Sequence, residues 1–315
     1  MTTSTCQSCH DPLFFTPDPD SDAGSNPDAA ADESPVPDDL HLPCGCHFHW
    51  QCLIDQASSI LSSLACPNCS SPLTISSAAG GSSSSSAAAT GAAGNPQILT
   101  TYTNEGGVQP DLDIYPTLLE ESFMAAHPEA RPAKAFHTMT AEGDTQSMLA
   151  LLADLARPDS DDEDEDEDHV CDGSHNHHHH HQAKDPLQTA LQAQRLLTWR
   201  DPLNNHLTAL HLALESQKEE AVWLLLWLGS AVATSEFPPA VVQAAQGNGV
   251  PRLLEQIAAA GAGSSSSSSS GKGSEEEVQD VRFVRDGKGR TPGDVCLELG
   301  EPWTRLVEGG LFGGW

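Results

Sequence analysis

The sequence predicts a mostly α protein whose first 74 residues form a separate small α+β module, with extensive disordered inserts. Three observations predict this. Cysteine is crowded at the amino terminus: seven of nine fall within the first 69 residues, in pairs and with a histidine among them. Apolar residues recur at helical spacing from about Tyr115 onward. Elsewhere the chain runs through tracts of Ser, Ala, Gly, Asp or His, with too little apolar surface to offset the entropy of ordering.

The amino-terminal module, residues 1–74, is built on four ligand pairs: Cys6 and Cys9, Cys44 and Cys46, His49 and Cys52, Cys66 and Cys69. Zn²⁺ takes four sulfur or nitrogen ligands at tetrahedral corners, and a Cys-x2-Cys turn delivers two thiolates to one ion. Four pairs therefore supply two zinc ions. Four protein ligands each leave no open position for water, so both ions are structural and a metal hydrolase is excluded. An acidic loop, residues 11–40, separates the first two pairs; loop closure depends only weakly on length. Between Cys52 and Cys66, the residues Leu53, Ile54, Ala57, Ile60, Leu61 and Leu64 share one helical face and would pack a small core between the metals. His47 stands next to Cys46 and could replace it as a ligand, though the spacing fits Cys46 better. His10 and His41 read as loop residues.

Residues 75–96 read as disordered linker. Residues 97–315 read as a helical region carrying disordered inserts at 157–185 and 261–278. A helix is expected around Tyr115–Ala126, with Pro116 in its first turn and Leu119 and Phe123 on one face. A helix pair follows from Ala133 to Leu155, broken at Gly143. The first insert holds Asp159–Asp168, nearly all acidic, and a histidine tract from His175 to His181; both read as solvated loop. The tract could also chelate metal weakly or respond to pH. Helical pattern resumes over Leu187–Trp199 and Leu207–Gly229, and no strand-rich part is visible outside the zinc region. Cys171 and Cys296 are solitary, the latter at a small apolar helix position.

Composition narrows the function classes. Net charge is −31, from 45 acidic against 14 basic residues, which opposes nucleic-acid binding. The most apolar run, Ala221–Ala233, is too short to span a bilayer. No basic segment followed by an apolar core opens the chain. A cytoplasmic or nuclear protein is expected, where clustered cysteines hold metal rather than form disulfides.

The run Leu42-Pro43-Cys44-Gly45, the run Phe48-His49 to Cys52 and the run Cys66-Pro67-Asn68-Cys69 together resemble a RING finger. The variant has Cys at the fourth and His at the fifth ligand position. The resemblance implies a cross-brace in which Cys6, Cys9, His49 and Cys52 hold one zinc, and Cys44, Cys46, Cys66 and Cys69 the other. A plant homeodomain finger shares the ligand order but has a longer gap between the fourth and fifth ligands. The resemblance further implies a RING-type E3 ubiquitin ligase, whose partner is a ubiquitin-conjugating enzyme held so that its thioester is favourably oriented. In that family the carrier is gripped by an aliphatic residue, a bulky aromatic, a proline and a basic residue. Here those positions read Ser8, Gln56, Pro67 and Ser70, so Pro67 is the carrier-contact candidate and the others depart from the pattern.

The run Thr208-Ala209-Leu210-His211-Leu212-Ala213, followed by Val222, Leu224 to Leu226 and Gly229, resembles an ankyrin repeat. Further copies, more degenerate, fall at His137 with Gly143-Asp144, Met148, Leu151 and Leu152; at Ala244–Gly247 with Leu253-Leu254; and at Asp286–Pro292 up to Gly300. At least three stacked copies are needed for stability. The resemblance implies a surface for a protein substrate, a structural role for His211 in bonding the backbone, and packing roles for Trp223 and Trp227. The alternative to a ligase is a non-catalytic zinc-binding and ankyrin-like scaffold, which Ser8 and Ser70 favour.

Overall fold

The structure is a computed structural model, and it describes residues 5–15, 35–74, 96–156, 185–247, 249–262 and 278–313. Most of the acidic loop, the linker, both long inserts, Cys171 and the histidine tract lie outside these residues. The chain divides into two compact units, Met1–Pro128 and Glu129–Trp315.

In the first unit, β1 (Phe14–Phe15) pairs antiparallel with β2 (Val36–Pro37). Next come β3 (Asp39–His41), β4 (His47–Phe48), α1 (Trp50–Ile54) and α2 (Ala57–Ser63). The central helix expected between Cys52 and Cys66 is thus two short helices, turned at Asp55-Gln56. Its expected inner face still holds: Leu53, Ile54, Ala57 and Ile60 are buried. His41 lies in β3, not in a loop, with its ring stacked on that of His47 at 4.4 Å.

Residues beyond 96 do not all join the helical region. Strands β5 (Leu99–Asn104) and β6 (Gly107–Asp113) form a hairpin, and the four-stranded sheet runs β4-β3-β5-β6. The segment Leu99-Thr-Thr-Tyr-Thr-Asn104 is rich in β-branched and aromatic side chains. At the turn, the Asn104 carboxamide oxygen accepts from the Gly106 N–H at 2.9 Å. Leu40 of β3 stands opposite both Phe48 and Tyr102. Helix α3 (Tyr115–Ala126) follows, with Pro in its first turn. The core gathers Leu40, Leu42, Leu53 and Ile60 with Leu73, Ile98, Ile114 and Leu118 from outside the ligand segment. Each fully buried side chain of this size contributes about 2 kcal/mol. Asp38, itself buried, accepts from the Trp50 N–H at 3.1 Å and the Tyr102 hydroxyl at 3.0 Å. It thereby joins the start of α1 to the hairpin.

The second unit is helical among its described residues: α4 (Arg131–Glu142), α5 (Thr145–Ala156), α6 (Pro186–Thr198), α7 (Ala209–Glu215), α8 (Glu219–Gly229), α9 (Pro239–Gly247), α10 (Leu253–Ala262), α11 (Pro292–Leu299) and α12 (Thr304–Glu308). Helix α7 packs between α4 and α11, while α5 packs against α8. Three helices share one spacing: Lys134, His137 and Gly143 in and after α4; Thr208, His211 and Gln217 around α7; Thr291, Asp294 and Gly300 around α11. Thr208 and Thr291 cap their helices, whereas Lys134 lies inside α4, one turn past its start. The last member of each set has a positive φ, at 80°, 56° and 77°. That conformation closes a helix and suits glycine. After Glu219 and Glu220, helix α8 is buried on nearly every side, as its apolar run from Ala221 to Gly229 requires. Trp223 and Trp227 both meet Phe237, at 6.2 and 5.3 Å between rings, so they pack internally.

Pair α9–α10 closes at Gly249 (φ 67°), two residues beyond Gly247. It packs on α8 and α6, whereas α11 sits directly against α7, so α9–α10 does not come between them. Arg252 is buried and donates to the carbonyls of Trp227, Ser230 and Val232, capping the end of α8. Among the described residues no helix is long and apolar enough to cross a membrane.

Candidate metal centre

Two loops of the first unit are built alike. Cys6-Gln-Ser-Cys9-His-Asp-Pro12-Leu13 and Cys66-Pro-Asn-Cys69-Ser-Ser-Pro72-Leu73 share the pattern C-x2-C-x2-P-L. In the first, the His10 N–H donates to the Cys6 carbonyl and the Cys6 N–H to the Asp11 carbonyl, each at 2.9 Å. In the second, Ser70 and Cys66 repeat both bonds, at 2.9 and 2.8 Å. His10 and Ser70 take positive φ angles of 68° and 59°, which turns the chain back after the second cysteine. Both leucines are buried, anchoring the loops in the core.

These loops, the β3–β4 turn and α1 bring the eight expected ligands into two groups of four. Cys6, Cys9, His49 and Cys52 form one; Cys44, Cys46, Cys66 and Cys69 form the other, with ligand atoms in each group within 4.8 Å of one another. Gly45, at φ 86°, permits the tight turn that aims Cys44 and Cys46 at the same group. Cys46, and not His47, belongs to the second group; the His47 Nδ1 instead meets the Asp39 carboxylate at 2.7 Å.

His49 is oriented for metal. Its Nε2 lies 2.9 Å from the Pro12 carbonyl and therefore carries the proton. Nδ1 keeps its lone pair and faces the sulfurs of Cys9 and Cys52, at 3.3 and 3.8 Å. A carbonyl behind a metal-binding imidazole fixes the ring and its tautomer in this manner.

The thiols differ in acidity. At Cys6, burial pushes upward, but the backbone N–H groups of Cys9, His49 and Ser8 prevail and bring the thiol down to about 7. Burial pushes Cys52 up to about 12, with Cys9 and Cys6 adding to the rise. Cys44 is likewise pushed up to about 12, by burial first and then by hydrogen bonding with Cys66, Cys69 and Cys46. The Ser71 hydroxyl holds Cys69 down to about 6. Each group thus combines a readily ionised thiol with a reluctant one, and a divalent cation at its centre would favour all the thiolates. Two closed sets of four sulfur and nitrogen ligands are consistent with two structural zinc ions.

Around the groups the surface is polar. The Gln56 amide donates to the Ser8 hydroxyl at 3.3 Å, and the Asn68 amide to the Gln7 side chain at 3.1 Å. Pro67 is half-buried between Cys66 and Asn68, while Ser70 is exposed. Phe15, which sequence reasoning passed over inside the acidic loop, is 57 % exposed and stacks on His49 at 5.5 Å. The Phe14-Phe15 pair directly after the first loop was the available signal. Compared with protein-family models, curated proteins and solved structures, the chain matches none.

Proposed function

We propose that the chain is a RING-type E3 ubiquitin ligase: its zinc module recruits a ubiquitin-conjugating enzyme and ankyrin-like helix pairs recruit a protein substrate. The observation that carries this reading is the interleaved ligand order. The first and third pairs share one group, and the second and fourth the other, as a RING cross-brace requires. The stacking of α4, α7 and α11, with Thr208 and Thr291 capping the latter two at matching distances from Gln217 and Gly300, supports the ankyrin-like part. On this reading the module supplies no nucleophile. The reactive thiol is the carrier's, and the module acts by restricting the thioester's orientation. Pro67 contacts the carrier, and the protein works in the cytoplasm or nucleus.

A second reading, a non-catalytic scaffold, is favoured by the Ser8–Gln56 hydrogen bond. It occupies a contact face where an aliphatic and an aromatic residue would otherwise be offered. One experiment separates the two. The zinc-loaded protein is incubated with ubiquitin, activating enzyme and a panel of conjugating enzymes, beside Cys44→Ala and Ser70→Arg. Chain formation that Cys44→Ala abolishes and Ser70→Arg enhances supports the ligase; silence of all three proteins across the panel supports the scaffold.

A further inference from the structure

Carboxylates outnumber cations three to one in this chain, 45 against 14. Three exposed cations that form no ion pair among the described residues, Arg200, Arg285 and Lys288, occur on two adjoining loops of the second unit. The loop before α7 (residues 199–208) and the loop before α11 (residues 284–291) are joined by the Gly287 N–H, which donates to the Asn205 carbonyl at 2.6 Å. A side chain at Gly287 would collide with that carbonyl at 2.6 Å, so glycine permits the contact. Arg200 places one guanidinium nitrogen 3.4 Å from the Asp286 carbonyl, Arg285 donates to the Gly289 carbonyl at 2.5 Å, and Lys288 sits in the turn of the same loop as Arg285.

The carboxylates on these loops are spent inward. Asp201 accepts from Lys134 at 3.3 Å and from the Leu203 N–H at 2.9 Å. Asp286 accepts from the Arg290 side chain at 2.8 Å and from the Lys288 and Arg290 N–H groups at 2.9 and 2.8 Å. Arg290 is saturated by Asp286, Glu215 and Glu298. Asp294 feels the charge of Arg285 but is committed to Thr291. What faces outward is two guanidinium groups, each steadied by one backbone carbonyl and each with donors to spare, plus an ammonium. A guanidinium fork held in this way donates bidentately to a carboxylate at reduced entropic cost.

We propose that Arg200, Arg285 and Lys288 form the docking surface for an acidic, Asp/Glu-rich segment of a partner protein. Resting on the function proposed above, this names the class of substrate that the helical region would present. The chain's overall negative charge does not forbid it, because exposed charges beyond a Debye length of about 8–10 Å are largely screened, while direct contacts at the loops are screened less.

The test uses the full-length zinc-loaded protein and fluorescein-labelled 12-residue peptides: Glu/Asp-rich, Lys-rich and Ser/Gly. Anisotropy should report binding of the acidic peptide alone, weakening as salt rises. The variant Arg200→Gln/Arg285→Gln/Lys288→Gln should bind about tenfold or more weakly, as expected for three cooperating surface contacts. Arg285→Gln alone should already weaken binding, whereas Arg305→Gln, which removes the same single charge from a cation already paired with Glu301, should leave binding unchanged. The proposal is overturned if the acidic peptide does not bind, if the triple variant binds as well as wild type, or if Arg305→Gln is equally weakened. It is also overturned if duplex DNA competes as effectively as the peptide. Ubiquitin transfer is read separately: absent transfer with intact peptide binding removes the ligase reading and leaves this surface standing.

Discussion

The Nε2–H of His211 donates to the main-chain carbonyl of Arg290 at 3.0 Å, while its Nδ1 accepts from the Thr208 hydroxyl at 2.8 Å. One imidazole therefore closes the start of α7 and holds the loop that precedes α11. The ring is fully buried, and burial pushes its pKa below the ordinary histidine value. His211→Ala should destabilise the protein by about 3 kcal/mol, combining a cavity with stranded polar partners. Urea denaturation followed by circular dichroism measures this. A loss below about 1 kcal/mol would mean that the bridge does not join the two helices.

Metal content distinguishes the neighbours Cys46 and His47. Wild type should carry two zinc ions per chain by mass spectrometry under native conditions. Cys46→Ala should lose one of them, whereas His47→Ala should keep both and forfeit its stacking on His41 and its contact with Asp39, the latter worth under about 1 kcal/mol. Equal metal loss in both variants would reverse the assignment.

His137 makes stability depend on pH. Both its ring nitrogens lack a hydrogen-bond partner, and the ring packs edge-on against Trp199 at 4.9 Å. Burial, with the Lys134 ammonium adding, outweighs the pull of Asp201 and brings its pKa from 6.5 down to about 4. Above pH 6.5 neither state is protonated there, and stability is unaffected. As pH falls below 6.5 the unfolded chain takes up a proton that the folded chain refuses until about pH 4, so stability declines across that window by about 3 kcal/mol. His137→Leu should flatten the decline between pH 6.5 and 4.5; an unchanged slope would assign it to other groups.

Gly229, the last residue of α8, has no room for a side chain. A Cβ there would meet Val281 at 2.5 Å and Leu197 at 2.9 Å. Gly229→Ala should therefore cost about 1–3 kcal/mol despite alanine's better helix propensity, visible as a lowered Tm. A neutral or stabilising result would show that Val281 and Leu197 can give way.

The metal ligands were legible in sequence because their spacing is local: a C-x2-C turn works over four residues whatever surrounds it. Gly143 was legible as a turn for a similar reason, since few residues adopt its φ of 80°. The β5–β6 hairpin was not. Its second strand, Gly-Val-Gln-Pro-Asp-Leu-Asp, lacks clean alternation, and its first strand is defined by pairing with β3, about sixty residues earlier in the chain. The division of the central helix was hidden too, because Asp55 and Gln56 carry no helix-breaking chemistry. The grouping of three cations on two loops was invisible for a different reason. Sequence reveals that Arg200, Arg285 and Lys288 exist, but only the fold reveals that Asp201 and Asp286 are turned away from them.

The hairpin's attachment to β3 bears on how the protein can be cut. A fragment stopped just after the last metal ligand loop would lose Ile98, Ile114 and Leu118 from its core and leave Asp38 without the Tyr102 hydroxyl. It would also bare the hydrogen-bonding edge of β3, an invitation to intermolecular strand pairing. The smallest piece fit for isolated study extends to Pro128, and insolubility of anything shorter would reflect a missing strand, not a missing ion.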